Sequence, residues 1–524
     1  MSRFLLKVKQ KVVDYVKLKE LLETNIELFG EYPFLFFHDK QYTNLETKQY
    51  ADEFAKGLRK HGIANGDRVI VIMQNCPEVL FAYQGITRAG ATIVPVMFTL
   101  HPKEIHYIAL NSGAKAIITS SFVIPNVLKA IDTLATKPLL ISVDQPSSEI
   151  IENFYDTSQP IDSDAVDFDC QSKTDDTAVI LYTSGTTGNP KGVLLTHKNL
   201  YSNAANSAKH NDYERGTTLG VLPLAHVYGL TVSNVCFLTG SAIVVFSSFR
   251  LEEVLKAIEK YEVKSFSAVP AMIHALVSYS QADHYNTSSL ESVGSGSAPL
   301  PIALIHAFEQ KFGAKVYEGY GLSEAAPVVT AHRKGLPIKP GSVGIPIPGV
   351  VVKVVNESGE EVPFGEVGEL IVRGENVTPG YYLNQEESKR VLKDSWLFTG
   401  DMARVDEDGY VYIVDRKKDL IIRGGFNVYP RDVEEILNAH EEISEAAVVG
   451  IPDERMGEEM VACVVKKHGS DVTEDKLIRF CQDHLAKHKT PRRIIFLDSL
   501  PRNGVGKILK TQLRLTAAGV VIKP

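Results

Sequence analysis

The sequence predicts an α/β protein in unequal parts: a large N-terminal domain of helix-covered sheets with a small β-barrel subdomain, then a small α+β C-terminal domain. Three observations predict it. From about Leu18 to Ser120, and again from AVILYT onward, helical patterns alternate with short β-rich runs, as in a largely parallel sheet covered by helices. Near Gly341 the texture changes to β-rich stretches broken by Ser-Gly and Phe-Gly turns, suited to antiparallel strands and a small barrel. After GYVYIVDRKKDLIIRGG the pattern is mixed again through Lys510. A chain of 524 residues also exceeds one ordinary core, since domains average roughly 150 residues. The expected bounds are 1–415 for the N-terminal domain, with its antiparallel part at about 341–415, a connection at 416–418, and 419–524 for the C-terminal domain.

Along the chain, YADEFAKGLRKHG reads as an amphipathic helix that ends on Gly62, because Gly tolerates the left-handed conformation that stops a helix. DRVIVIM reads as a strand and CPEVLFAYQGITRAG as a helix. AVILYT is a strand, and SAIVVFSSF at 241–249 reads as a buried one. LEEVLKAIEKYEV and SFSAVPAMIHALVSY continue the alternation.

Apolar residues make up 44% and charged residues 23% of the chain, near the usual globular values. The formal charge of -8 argues against a nucleic-acid partner, which would ordinarily meet a basic surface. Cys76, Cys170, Cys236, Cys463 and Cys481 are far apart and form no C-x-x-C pair, so buried free thiols in a reducing cytoplasm are expected. No apolar run reaches the roughly 18 to 20 residues of a membrane span, and the first residues lack a secretory signal. They do combine Lys7, Lys9, Lys11, Lys17 and Lys19 with Leu5, Val8, Val12, Val16 and Leu18. A helix packed on its own domain and one making weak membrane-surface contact both show that pattern.

The segment YTSGTTGNPKG, Tyr182 to Gly192, concentrates Gly, hydroxyls and one Lys. Gly lets backbone N–H groups approach an anion closely while hydroxyls and an ammonium add donors, so the segment suits phosphate. It is not a Walker A loop, which needs G-x-x-x-x-G-K-[ST] between a strand and a helix. Gly185 is followed five positions later by Pro190, and Lys191 by GVLLT, a β-prone run. GSGSAP at 294–299 and GYGLSE at 319–324 likewise fail G-x-G-x-x-G.

Five further segments accompany it: PLAHVYGL (223–230), YEGYGLSEAAP (317–327), GELIVRGENVTPGYY (368–382), WLFTGDMARVDEDGYVYIVDRKKDLIIRGG (396–425) and LPRNGVGKILK (500–510). In this order and at these separations they resemble the AMP-forming superfamily of acyl- and aryl-CoA synthetases, luciferases and nonribosomal adenylation domains, most closely the fatty-acyl-CoA synthetases. The resemblance runs from about residue 18 to about 513. It implies ATP, Mg²⁺ and coenzyme A as cofactors, a mobile C-terminal domain, and acid–thiol ligase activity on a small carboxylic acid, a medium- or long-chain fatty acid. The acid would be joined to AMP with release of pyrophosphate, then passed to coenzyme A. An enzyme that loads a carrier protein, a luciferase-like oxygenase and a non-catalytic nucleotide-binding protein are the alternatives. The oligomeric state, a homodimer included, is left open.

Each motif has a physical role under that resemblance. Thr183, Ser184, Gly185, Thr186, Thr187 and Lys191 would surround the β- and γ-phosphates with donors and one positive charge. Glu324, with Thr183 as a second oxygen, would bind Mg²⁺, which takes only one or two carboxylates besides phosphate and water. Ser323 stands where the family usually has Thr and keeps the hydroxyl. Tyr320, between two glycines, would stack on adenine. Asp401 would accept from the ribose diol and Arg416 would bond ribose and phosphate. Lys507 would offset the repulsion between carboxylate and α-phosphate, with Gly504 and Gly506 giving its loop freedom. Lys418 falls at the hinge, and rotation there would present Gly424 and Gly425 to the thiol. His226 could orient the carboxylate or close the acid pocket, or be a buried structural residue. GSGSAP and AVPAMIHAL could line a greasy tunnel or be core.

Overall fold

The computed structural model describes residues 15–157, 172–183, 189–502 and 508–519. Residues 1–14, with most of the basic N-terminal pattern, lie outside that set, as do Cys170, Ser184, Gly185, Thr186, Thr187, Gly504, Gly506 and Lys507.

A seven-stranded sheet occupies the first part, in the order Glu152–Asn153, Leu139–Ser142, Ala116–Thr119, Arg68–Ile72, Thr92–Pro95, Thr177–Thr183 and Lys191–Thr196. It is parallel except at its last pair. RVIVI sits at its centre with four consecutive buried residues, as expected for a strand covered on both faces. The helix before it, Asn44–Lys60, starts on a Thr43/Glu46 capping box, which satisfies two of the N–H groups a helix start leaves open. It ends before Gly62 at φ 78°. The helix after it, Pro77–Arg88, takes Pro at its first turn, where no N–H is missed.

Two more sheets build the next layer. Thr217–Gly220, Ala242–Val245, Pro33–Phe37 and Lys40–Thr43 form one. The other runs Ser265–Ala268, Ser292–Ser295, Lys315–Gly321, Val328–Ala331 and Ile345–Pro346, its first three strands parallel. Phe266, Val293 and Val316 point from this sheet into a core with Ile273 and Leu276 of the Pro270–Ser278 helix. An antiparallel sheet then follows, made of Val350–Val355, Gly368–Gly374, Trp396–Val405, Leu392–Lys393 and Val411–Arg416. The chain leaves it at Arg416 and joins the next sheet at Ile421.

That last sheet orders Phe426–Val428, Ile421–Arg423, Gly457–Lys466 and Ile443–Asp453, with Arg493–Phe496 parallel to Gly457–Lys466. Separate apolar clusters cover its two faces, one around Val433, Leu437 and Leu477, the other around Leu500 and Leu513. A large helix-covered part with an antiparallel appendage, followed by a small α+β part, is the architecture the sequence pattern implied. Cys236, Cys463 and Cys481 are buried and, with Cys76, are free thiols. Among the described residues no helix is long and apolar enough to cross a membrane.

Candidate active site

A cavity of about 1650 Å³ lies between the large and small parts. Parallel sheets place ligands at the carboxyl ends of their strands, and Thr183, Ser295 and Tyr320 mark such ends in its wall.

On either side of the Gly-rich segment stand the strands Thr177–Thr183 and Lys191–Thr196, and their register pairs Thr183 with Lys191. Thr183 and Pro190 line the cavity. Lys191 does not face the cavity freely: its Nζ lies 2.6 Å from Glu387 Oε1 and 5.8 Å from the centre of the Tyr381 ring. Glu387 opens the Gln385–Val391 helix and also receives Arg390. Arg390, then Lys191, hold its carboxyl down at about 2 against the opposing effect of burial, so this acid is ionised at any physiological pH. Tyr381 in turn donates its hydroxyl to Glu324 Oε1 at 2.8 Å, and Glu324 and Ser323 line the cavity from a single 3₁₀ turn, Ser323–Ala325.

A second group sits on neighbouring strands. Tyr320 donates to Asp401 Oδ2 at 2.5 Å, and Arg416 Nε lies 3.4 Å from Asp401 Oδ1. Asp401 and Arg416 are register partners on Trp396–Val405 and Val411–Arg416, so antiparallel pairing alone brings them together. Gly321 is required beside Tyr320: a Cβ there would fall 2.3 Å from the Pro327 carbonyl oxygen. Burial, with the Asp401 charge second, pushes the Tyr320 hydroxyl well above its usual range, so it stays a donor. Nearby, Ser295 and Glu318 are register partners. Ser295 Oγ and Glu318 Oε2 are buried in the cavity wall with no hydrogen-bond partner among the described residues. Burial pushes the Glu318 carboxyl up to about 7, against the pull of Arg431. Unsatisfied buried polar atoms are costly, and their presence in this wall fits a ligand with polar edges such as a nucleotide.

The cavity continues along the Val227–Thr239 helix. His226 caps that helix, its Nδ1 accepting from the Tyr228 N–H at 3.2 Å, which leaves the ring proton on Nε2. Burial lowers its pKa to about 4, so the ring is neutral at pH 7. Gly229 permits the close approach that places this turn, since a Cβ would lie 2.2 Å from the Pro223 carbonyl oxygen. The facing wall is Ser265, Ser267, Ser292 and Gly294, the face of the sheet opposite Phe266 and Val293. GSGSAP therefore does line the cavity, whereas AVPAMIHAL is core: Ile273 and Leu276 are buried on the far side of the sheet.

From the small part, Lys418 and Lys510 line the cavity beside Arg416, with Lys510 paired to Glu434 at 2.8 Å. Gly424 and Gly425, at φ 58° and 83°, do not line it; Gly424 instead lies against Met456. Lys507 and Ser184 to Thr187 lie outside the described residues. Glu318, Tyr381 and Lys510 lie inside the quoted segments but carry no role there, and Glu387 lies outside them. Nothing local marks Glu387, as its partner Lys191 is 196 positions away.

A cavity with buried, unpartnered polar groups in one wall and a helix facing small residues in another suits an enzyme that joins a nucleotide to an organic acid. The chain belongs to the AMP-binding enzyme family: that family's profile matches residues 22–382, and the profile of the AMP-binding enzyme C-terminal domain matches 432–507. It is 37% identical to a long-chain-fatty-acid--CoA ligase of Bacillus subtilis, over 95% of this chain and 94% of that protein. It is 35% identical to 4-coumarate--CoA ligase 1 of Solanum tuberosum, over 95% and 93%. Among solved structures it is similar to O-succinylbenzoate coenzyme A synthetase from Bacillus subtilis in complex with ATP and magnesium ion. The TM-score is 0.83 at 28% identity, covering 94% of this chain and 99% of that one. The protein is an AMP-forming acid–thiol ligase of the acyl-CoA synthetase type, using ATP, Mg²⁺ and coenzyme A. Among the described residues no group of three or more His, Cys, Asp or Glu is placed to hold a metal ion.

Proposed function

We propose that the acid is an unbranched aliphatic one of medium to long chain, activated as acyl-AMP and released as acyl-CoA. The tunnel wall carries this reading. Several of its hydroxyls are already bonded within the protein: Thr231 Oγ1 donates to the Val227 carbonyl, Thr239 Oγ1 to that of Val235, Thr218 Oγ1 to that of Ser265, and Tyr228 pairs with Ser267 at 3.0 Å. Hydroxyls satisfied within the protein compete little for a ligand, and burying alkyl groups beside them is favourable at about 0.8 kcal/mol per methylene. The Bacillus relative's name is in accord with it.

In this reading Glu324, fixed by Tyr381, would hold Mg²⁺, with the Thr183 hydroxyl as a second oxygen. When bound, the ion offsets charge on the triphosphate. Thr183, Ser184, Gly185, Thr186, Thr187 and Lys191 hold the departing pyrophosphate. The Tyr320 ring supports adenine, and Asp401, which has lone pairs left beyond its bonds to Tyr320 and Arg416, accepts from the ribose. His226 donates from Nε2 to the acid carboxylate at the tunnel entrance. Lys507 brings the carboxylate and the α-phosphate together; Arg502 and Ile508, on either side of its segment, line the cavity. After pyrophosphate leaves, the small part turns about Lys418, withdrawing Lys507 and bringing Gly424 and Gly425 to the thiol.

Carboxylate-dependent ATP–pyrophosphate exchange across an acid panel, followed by coenzyme A-dependent AMP release, tests this. Medium and long saturated acids should support both steps. Exchange without thioester formation would point to carrier loading instead. Lys507→Ala should lose exchange by about a hundredfold while still converting supplied acyl-AMP to thioester.

A further inference from the structure

The Pro430–Asn438 helix of the small part begins without a cap of its own. Tyr429, the residue before it, offers its first turn no side-chain acceptor, and a helix start leaves several N–H groups open. An acceptor comes from the large part instead. Asp415 Oδ2 accepts from the Arg431 N–H at 3.0 Å, while Asp415 Oδ1 accepts from the Arg416 N–H at 2.7 Å. One carboxylate thus caps a helix across the boundary between the two parts, and its charge suits the positive end of the helix dipole. Arg431 reciprocates: its Nη1 donates to the carbonyl of Ile413, on the strand that carries Asp415, at 2.5 Å. Its Nε lies 2.9 Å from Glu435, one turn along, which steadies the guanidinium.

The same helix holds the neighbourhood of Lys507. Glu434, three positions after Arg431 and so on the same face, pairs with Lys510 at 2.8 Å and accepts from the Val448 N–H at 2.8 Å. Lys510 opens the Lys510–Ala517 helix, just beyond Lys507 in the chain. On the other flank Arg502 pairs with Glu445. Arg431, Glu434, Arg502 and Lys510 all line the cavity, whereas Gly424 and Gly425 do not. A line of contacts therefore runs from the Val411–Arg416 strand through Arg431 and Glu434 to Lys510.

We propose that Asp415 and Arg431 are positioning residues for adenylate formation: together they hold the small part in the orientation that keeps both flanks of the Lys507 segment at the cavity. The proposal rests on the reading above in which the small part turns about Lys418 between the two steps. Both residues act through Lys507 rather than on the substrate. Their contacts join parts that move relative to each other, so they exist in one orientation and are broken in the other. Their strength sets the ratio of the two orientations, and with it how the enzyme divides its time between the steps.

The test measures two rates for each variant: dodecanoate-dependent ATP–pyrophosphate exchange, and thioester formation from supplied dodecanoyl-AMP and coenzyme A. Each rate follows the population of its own orientation, so their ratio reads the contact. Arg431→Ala removes a charged hydrogen bond and should lower the exchange-to-thioester ratio about tenfold, with KM for ATP changed by less than about twofold. Arg431→Lys keeps a charged donor and should stay within about threefold of wild type. Asp415→Ala removes the cap and should lower the ratio about fivefold, whereas Asp415→Asn keeps an acceptor and should stay within about twofold. An unchanged ratio in Arg431→Ala overturns the proposal, and so does an equal loss of both steps in Arg431→Ala and Arg431→Lys, which marks a merely structural role. A raised KM for ATP with the ratio unchanged also overturns it, and makes Arg431 a nucleotide contact. Lys418→Pro checks the turn separately: it should keep exchange and lose thioester formation by at least about tenfold. If it leaves both steps at wild-type rates, the turn itself fails and the proposal falls for that reason alone.

Discussion

Lys191, the one cation of the Gly-rich segment, is held 2.6 Å from Glu387, an acid that Arg390 also grips. The ammonium is thus held in place before any phosphate arrives, and the three side chains together keep one net positive charge. Preorganised charge acts without reorganisation at the moment of reaction. Glu387→Gln should therefore raise KM for ATP by about fivefold, with kcat changed by less than about twofold, because a partly exposed ion pair orients with about 1 kcal/mol. Lys191→Ala should cost about a hundredfold in kcat/KM. Steady-state kinetics with ATP varied separate the two.

Tyr320 has two separable functions, a ring and a hydroxyl bound to Asp401. Tyr320→Phe keeps the ring and removes a hydrogen bond to a carboxylate, so KM for ATP should rise about tenfold. Tyr320→Ala should lose roughly another tenfold through the missing stacking surface. If Phe and Ala are equally impaired, the ring is not a platform for the base.

Gly294 faces the cavity, and a Cβ there would make ordinary van der Waals contacts, with Ser267 Oγ at 3.5 Å, Tyr228 Oη at 3.6 Å and the Phe266 carbonyl oxygen at 3.9 Å. Gly294→Leu should consequently fold normally yet fill the passage. Hexadecanoate turnover should drop by at least about tenfold relative to octanoate, measured as kcat/KM for each acid.

His197, His226 and His332 are each lowered to about 4 by burial. A histidine depressed in the folded state binds its proton more readily when unfolded. Its stabilisation is therefore complete above the unfolded value of about 6.5 and is lost as pH falls toward 4. The urea midpoint should fall between about pH 7.5 and pH 5, and His332→Asn should flatten that slope. His332 is the informative choice because its Nδ1 accepts from the Glu318 N–H and its Nε2 meets Ser342, contacts that amide side chains can partly replace.

The two strands flanking the Gly-rich segment, the change to antiparallel strands near Gly341 and the helix stop before Gly62 are written locally. Each follows from propensities, turn residues and caps within a few positions, so a single sequence discloses them. The order of motifs likewise disclosed the family. Tertiary structure alone decided which side chains meet: Lys191 with Glu387, Tyr320 with Asp401 across 81 positions, Ser295 opposite Glu318. It also put AVPAMIHAL in the core and GSGSAP on the cavity, since both stretches are apolar or small and only the packing of the sheet assigns a face. Backbone conformation is settled by near neighbours. Side-chain partnership depends on register and loop closure over long separations, for which no local pattern is a substitute.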